Sequence, residues 1–274
     1  MQQRIAFIGA GNMARAIIGG LVDSGVPPAS LSVADALPEV AAQLAHDFGV
    51  TAASSNLAAL ADAGTVVLAV KPQQMHTVAS ELRAGLGGTK PLVLSIAAGI
   101  TTEALRRWLG EGTAIVRSMP NTPALIRRGT AGLFASPDVS PAQRAAAASI
   151  LGAVGAVHWV EDEAQLDAVT ALSGSGPAYV FRLLECLENA GAALGLPGEL
   201  ARALALETVA GAAALAQGSS EPAATLRARV TSKGGTTERA LAALDEGGLE
   251  PLFARALAAA AERSRSLAEE FGAP

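Results

Sequence analysis

Aromatic residues make up only 3% of the 274-residue chain, charged residues 16%, and there is a single cysteine. Each scarcity excludes something. With so few rings, the core has to be assembled from Ala, Leu and Val in a chain that is 50% hydrophobic, which favours close packing between small-faced helices. Cys186 has no partner for an intrachain disulfide, which suits a reducing compartment. No uninterrupted apolar run approaches the roughly 18 residues of a bilayer span, and the chain enters a strand too soon to hold a signal peptide. No basic stretch is long enough to track phosphates, and the formal charge is −5, so neither nucleic acid nor an anionic membrane is an expected partner. The expectation is a cytoplasmic protein whose partner is a small molecule.

What is present begins at the amino end. Arg4-Ile-Ala-Phe-Ile-Gly9-Ala-Gly11-Asn-Met-Ala14 reads as a strand, a tight glycine turn and a helix running on to Gly19-Gly20. The missing side chains of Gly-x-Gly allow a sharp turn and let backbone N–H groups approach a pyrophosphate, while the following helix presents its positive end to that anion. Ala14 takes the third fingerprint position, where a small residue permits close packing of helix on strand. The pattern therefore points to a dinucleotide.

Further along, Leu31–Asp35 reads as a second strand ending in an acid, 24 positions after Gly11. That is close to the roughly 20-residue interval at which an acid can bond an adenosine ribose, and it points towards NADH. An Asp that merely begins a turn fits equally well. Helix, short strand and short helix follow at Pro38–Phe48, Val50–Ala53 and Asn56–Ala61. A third strand, Thr65–Val70, runs into Lys71-Pro72, with the proline suited to a first helical turn. Lys71 then lies at the carboxyl end of a strand, where open α/β sheets bind ligands, although a solvated lysine has the same spacing. Pro91–Gly99 repeats the pattern, and its small residues leave room for a flat ring before a helix beginning at Thr101 or Thr102. A strand at Ala114–Ser118, the loop Met119–Pro123, a strand near Thr130–Phe134, a helix over Ala142–Leu151 and a strand near Ala156–Val160 complete the alternation.

Such alternation predicts an α/β, Rossmann-like, doubly wound and mainly parallel sheet over residues 1–160, followed by an all-α domain over 161–274. In the second half Asp162–Leu172 leads to Ser173-Gly-Ser-Gly-Pro177. Helices are then expected over Ala178–Leu194, Glu199–Ala216 and Ala223–Val230, with two more after the Thr231–Thr237 loop. The stretch Ala201–Ala216 is apolar on more faces than a monomer's core can cover, which indicates a central helix or a subunit interface.

Familiar catalytic sets are missing. His46, His76 and His158 lack metal-ligand spacing, no serine elbow occurs, and Cys186 falls within an apolar helix. The informative loop is Val230-Thr-Ser-Lys-Gly-Gly-Thr-Thr237, ahead of a helix starting near Glu238. Adjacent glycines before a helix can expose several N–H groups as an anion-binding nest, and Ser232, Thr236 and Thr237 add hydroxyls. A small substrate carboxylate suits such a nest; an ordinary helix cap with flexible glycines has the same residues.

Six ordered blocks carry a resemblance to a known family: Gly9–Ala14, Val70-Lys-Pro72, Ser95–Gly99, Met119-Pro-Asn-Thr-Pro123, Ser173-Gly-Ser-Gly-Pro-Ala-Tyr179, and Val230–Thr237 followed by Ala240-Leu241. Together they resemble the pyrroline-5-carboxylate reductases over almost the whole chain. Lys233 stands where many members have proline, which leaves the glycines and hydroxyls of the loop in place. The resemblance implies reduction of 1-pyrroline-5-carboxylate to L-proline, the last step of proline biosynthesis, with hydride from NADPH or NADH. It implies that Ser232, Gly235 and Thr236 hold the substrate carboxylate and that Thr237 hydrogen-bonds the ring nitrogen as the catalytic polar group. It also implies cofactor contacts from Ile8, Gly9, Ala10, Gly11, Asn12 and Met13, from Asp35, Ala36 and Asn56, from Ala69, Val70, Lys71 and Pro72, and from Ala97, Ala98 and Gly99. The family leans to NADPH, whereas Asp35, with no arginine within Ala36–Val40 to clamp a 2′-phosphate, leans to NADH. Family members dimerise through the helical domain and often gather into a ring of five dimers.

Two other functions compete. A dehydrogenase acting on a hydroxy acid usually needs a general base, and Lys233 is the only lysine of the helical half, inside the proposed substrate loop; a related imine would need none. A non-catalytic dinucleotide-binding regulator would keep the first glycine turn but has no reason to keep the second anion site.

Overall fold

Residues 4–86 and 90–272 are described in a computed structural model. In chain order the first part comprises β1 (Arg4–Ile8), α1 (Asn12–Asp23), β2 (Leu31–Ala34), α2 (Pro38–Phe48), β3 (Thr51–Ala52), α3 (Asn56–Leu60), β4 (Ala63–Leu68), α4 (Pro72–Leu86), β5 (Leu92–Ser95), α5 (Thr102–Leu109), β6 (Ile115–Pro120), β7 (Gly129–Ala135), α6 (Pro141–Gly152), β8 (Gly155–Trp159) and α7 (Gln165–Val169). The strands form one sheet in the order β3-β2-β1-β4-β5-β6-β7-β8, parallel at every pairing except β6 with β7.

The sheet is doubly wound because its central strands are apolar on both faces. Along β1, Ile5 and Phe7 point to one side with Ile17, Ile18 and Leu21 of α1, while Ala6 and Ile8 point to the other with Met75 of α4 and Leu105 of α5. Full burial of a side chain such as Phe7 or Ile8 contributes roughly 1.5–3 kcal/mol, so both faces need a helical layer. Helix α2 spans the residues its punctuation predicts, from Pro38 in its first turn to Gly49 at its end. Strand β6, by contrast, runs two residues past the expected Ser118, because Met119 and Pro120 pair with Gly132 and Ala131 across an antiparallel turn.

The described residues fall into two compact units. One runs to Ser175 and resumes at Ala259; the other is Gly176–Ala258. Strand signal stops at Val160, yet the chain stays with the sheet for another fifteen residues. Leu166 of α7 is buried there, and Gly132 of β7 has no Cβ to obstruct Val169. The last turns of α12 (Leu249–Gly272) come back to the same unit: the hydroxyl of buried Ser264 donates to Asp167 at 2.6 Å, and Arg107 donates to the carbonyl of Gly272 at 2.5 Å. Helical segments that pack on a sheet carry no strand signal, which is why the unit boundary and the last strand do not coincide.

The second unit contains α8 (Gly176–Ala193), α9 (Gly198–Gln217), α10 (Ala223–Arg229), α11 (Thr236–Glu246) and the start of α12. Ala201 and Ala205 are the buried residues of α9, and α8, α10 and α11 have none. Phe181, Leu204 and Leu215 are 66%, 50% and 75% exposed, and Cys186 is exposed as well. Among the described residues no helix is long and apolar enough to cross a membrane.

Candidate functional site

Strand order puts the carboxyl ends of β2, β1, β4 and β5 side by side, and the residues expected around a dinucleotide follow those four ends. Ile8 closes β1 with no exposure. Gly9 bends the chain at φ +100°, its N–H bound to the carbonyl of Ala34 at 2.8 Å; a Cβ there would stand 2.7 Å from the carbonyl carbon and oxygen of Ala69. Only glycine fits both the angle and the approach. Ala10 is buried, Gly11 and Asn12 are exposed, and Met13 is half-buried against the core.

Gly11 is the N-cap of α1. It offers no side-chain cap, the first turn holds no acid, and a Cβ added to Gly11 would meet nothing within 4 Å. A twelve-residue helix thus presents the uncapped N–H groups of its first turn to open space, which is what a pyrophosphate requires. Arg15, one turn in, is not part of that end. It pairs with Asp47 of α2 at 2.6 Å and lies over the Phe48 ring. This guanidinium, with lesser hydrogen bonds from His46 and Gln43, holds the Asp47 carboxyl down at about 2.

Asp35 and Ala36 follow β2. The Asp35 carboxylate accepts from the N–H of Ala10 at 2.7 Å and from that of Leu37 at 3.0 Å, so the acid braces the glycine turn directly. Ala69 and Val70 are half-buried, Lys71 is exposed and Pro72 opens α4. Asn56 begins α3 and donates to Glu81 of α4 at 2.8 Å, a commitment its sequence position did not reveal. Beyond β5, Ala97 and Gly99 are buried and Ala98 is half-buried. The hydroxyl of Ser118 donates to the carbonyl of Ser95 at 2.9 Å, holding this small-residue loop to β6.

Glu163 and Arg117 frame the same loop, and sequence reasoning gave them no part in it. Glu163 accepts from the backbone N–H and hydroxyl of Thr102, at 2.8 and 2.5 Å, and from nearly buried Arg117 at 3.0 Å, so it caps α5 across 61 residues. The signal available was a lone arginine inside an apolar strand, which requires an acid somewhere.

The residues expected around a substrate lie in the helical unit. Gly235 is the N-cap of α11, which Thr236 and Thr237 open, and no side chain caps it. The N–H of Gly235 donates to the carbonyl of Ser232 at 3.0 Å, and a Cβ on Gly235 would collide with the Ser232 hydroxyl. Ser232, Gly235, Thr236 and Thr237 are thereby gathered into one turn. Glu238 accepts from the N–H of Gly234 at 2.7 Å and takes one amide of the nest for itself. The N–H groups of Thr236 and Thr237 open the helix, where no earlier turn supplies a carbonyl.

Comparison with known proteins places these features in a family. Residues 163–267 match the family model described as pyrroline-5-carboxylate reductase dimerisation, and residues 4–99 match one described as NADP oxidoreductase, coenzyme F420-dependent. A pyrroline-5-carboxylate reductase of Pseudomonas aeruginosa is 50% identical over 271 residues, 98% of each chain. The Haemophilus influenzae enzyme of that name is 44% identical and covers 96% of this chain and 97% of its own. Among solved structures, a pyrroline-5-carboxylate reductase from Coxiella burnetii superposes with a TM-score of 0.94 at 44% identity, covering 97% of this chain and 99% of that one. The Plasmodium falciparum pyrroline carboxylate reductase, solved with NADP bound, gives 0.86 at 27% identity, covering 97% and 98%. The chain belongs to the pyrroline-5-carboxylate reductase family.

Proposed function

We propose that the protein reduces the C=N bond of 1-pyrroline-5-carboxylate with NADPH or NADH to give L-proline, the last step of proline biosynthesis. The observation that carries this reading is the bare amino end of α1 at adjoining strand ends, in a chain 50% identical to a named pyrroline-5-carboxylate reductase.

When bound, the dinucleotide supplies the hydride. The chain's own part begins with the first-turn N–H groups of α1 after Gly11, which hold the pyrophosphate, and with the Ala97–Gly99 loop, whose small side chains leave room for a flat ring. Ser232, Gly235 and Thr236 hold the substrate carboxylate, and the Thr237 hydroxyl faces the ring nitrogen. A protonated imine is already electrophilic. As its ring carbon gains hydride, the C=N electron pair passes to nitrogen, and a secondary amine results. The chain therefore has to orient the ring and keep a polar partner at its nitrogen, without a strong base. Helices α8 and α9 supply the contact for a homodimer, and five dimers form a ring. The reaction is placed in the cytoplasm.

Of the two cofactors, NADH suits Asp35 better. Its carboxylate is fixed beside the glycine turn by two backbone N–H groups, and a 2′-phosphate arriving there would meet a like charge. The test follows nicotinamide absorbance with purified protein, 1-pyrroline-5-carboxylate, and each cofactor in parallel. Oxidation that requires both protein and imine is the expected result; folded, cofactor-binding protein that oxidises neither cofactor would overturn the reading. Asp35→Asn, which keeps an acceptor for the Ala10 N–H but drops the charge, is expected to raise the NADPH-to-NADH ratio of kcat/KM by about fivefold. An unchanged ratio would remove Asp35 from cofactor choice.

A further inference from the structure

Met119–Pro123 and Ser173–Tyr179 are among the most distinctive blocks of the sequence, and neither belongs to the cofactor or substrate sets. In the structure they interlock. Asn121 follows the carboxyl end of β6 and is 8% exposed. Its Oδ1 accepts from the N–H of Thr130 at 2.9 Å, and its Nδ2 donates to the carbonyl of Ser173 at 3.1 Å.

That carbonyl has a reason to need a donor. In a continuous α-helix it would accept from the residue four positions on, which is Pro177, and proline has no N–H. Instead the chain widens into a π-turn over Thr170–Gly174, with the N–H of Ser175 bound to the carbonyl of Thr170 at 2.8 Å. Gly174 supplies the other half of the joint: a Cβ there would lie 2.5 Å from the terminal methyl of Met119. Met119 thus seats on Gly174 and Asn121 on Ser173, immediately before the chain leaves the dinucleotide unit between Ser175 and Gly176.

We propose that Asn121 is a positioning residue for imine reduction. By holding the last turn before the exit, it governs the hydride-accepting step and leaves dinucleotide affinity alone. The inference rests on the reaction proposed above. Asn121 bonds none of the residues at the ends of β1, β2, β4 and β5, which form the expected cofactor set. The expected substrate residues, Ser232–Thr237, belong to the unit that the chain enters through this exit. Hydride transfer tolerates little error, since misplacement by roughly 1 Å can cost about 100-fold in rate.

The experiment compares wild type with Asn121→Asp, Asn121→Ala, Pro177→Ala and the Asn121→Ala, Pro177→Ala pair. It measures kcat and KM for 1-pyrroline-5-carboxylate, the Kd for NADH by nicotinamide fluorescence, and amide hydrogen exchange across Thr170–Val180. Asn121→Asp keeps the acceptor for Thr130 but sets an oxygen against the Ser173 carbonyl. It is expected to lower kcat by about 10-fold or more, with the NADH Kd within about twofold of wild type and faster exchange over the π-turn. Pro177→Ala gives the Ser173 carbonyl a helical donor. Alone it is expected to stay within about twofold of wild-type kcat, and in its background Asn121→Ala should cost less than about a third of its usual factor. Unchanged kcat in folded Asn121→Asp, a matching loss of NADH affinity, or an equal cost in both backgrounds would each overturn the role. A folded, NADH-binding wild type that leaves the imine untouched would overturn the reaction itself. An active wild type with an unaffected Asn121→Asp variant would overturn only the role of Asn121.

Discussion

The dinucleotide unit closes over its large apolar side chains on both faces of the sheet, from Phe7 to Leu94 on one and from Ile8 to Met75 on the other. The helical unit turns Phe181, Leu204 and Leu215 outward. A sheet with a helical layer on each face completes its core within one chain. Long Ala- and Leu-rich helices with few buried residues do so only by pairing, and a second copy offers the same apolar face. The first unit is thus complete as a single chain, and the second is not.

The most direct way to break this contrast is Phe181→Glu on α8. In a homodimer the charge would be buried twice, and the dissociation constant is expected to rise by about 100-fold or more. Light scattering against concentration measures it. A variant that keeps the wild-type mass would show that this face does not pair. Within the first unit, Gly9→Val places a branched side chain at φ +100° against the Ala69 backbone. A loss of about 2 kcal/mol in unfolding free energy and about 30-fold in NADH affinity is expected, read by denaturant melts and fluorescence titration. Undiminished binding would show that the turn tolerates a Cβ.

Thr237→Ala probes the second unit in the same terms. It should lower kcat/KM by about 10-fold, the loss of one transition-state hydrogen bond, with NADH affinity preserved. Unchanged kinetics would remove Thr237 from the ring nitrogen. The smallest effect belongs to Asp47, whose carboxyl sits near 2 in the folded chain instead of 3.8, chiefly through Arg15. A lowered folded value stabilises above the unfolded one and is lost as pH falls through the folded one. Thermal unfolding of wild type should therefore weaken more steeply than that of Asp47→Asn as pH falls from about 4 to about 2. Parallel curves would show that the pair contributes nothing.

Local chemistry explains what could be read in advance. The glycine turn, the Pro38–Phe48 helix and the Ser232–Thr237 loop follow from backbone demands that a few neighbouring residues state outright. Partnerships across the chain were hidden. Nothing near Asp35 announces that its carboxylate meets the Ala10 N–H, nothing near Asn56 points to Glu81, and Glu163 caps α5 from 61 residues away. The reversal between β6 and β7 was equally silent, because an apolar strand reads the same in either direction. The end of the first unit, fifteen residues past the last strand signal, depends on α7 burying Leu166, which only packing reveals.

That reversal has a consequence of parity. In a run of parallel strands, each strand delivers the chain to the carboxyl edge and each helix takes it back, so an unbroken series ends its last strand on the carboxyl edge. Because β7 and β8 run the other way, β8 ends on the amino edge, and α7 becomes the return leg, passing Gly132 and bringing Ser173 up to Asn121. One reversal in eight strands thus decides that the chain leaves the sheet on the edge that bears the glycine turn. A relative that gained or lost a single strand after β6 would leave by the opposite edge unless its return helix were gained or lost with it.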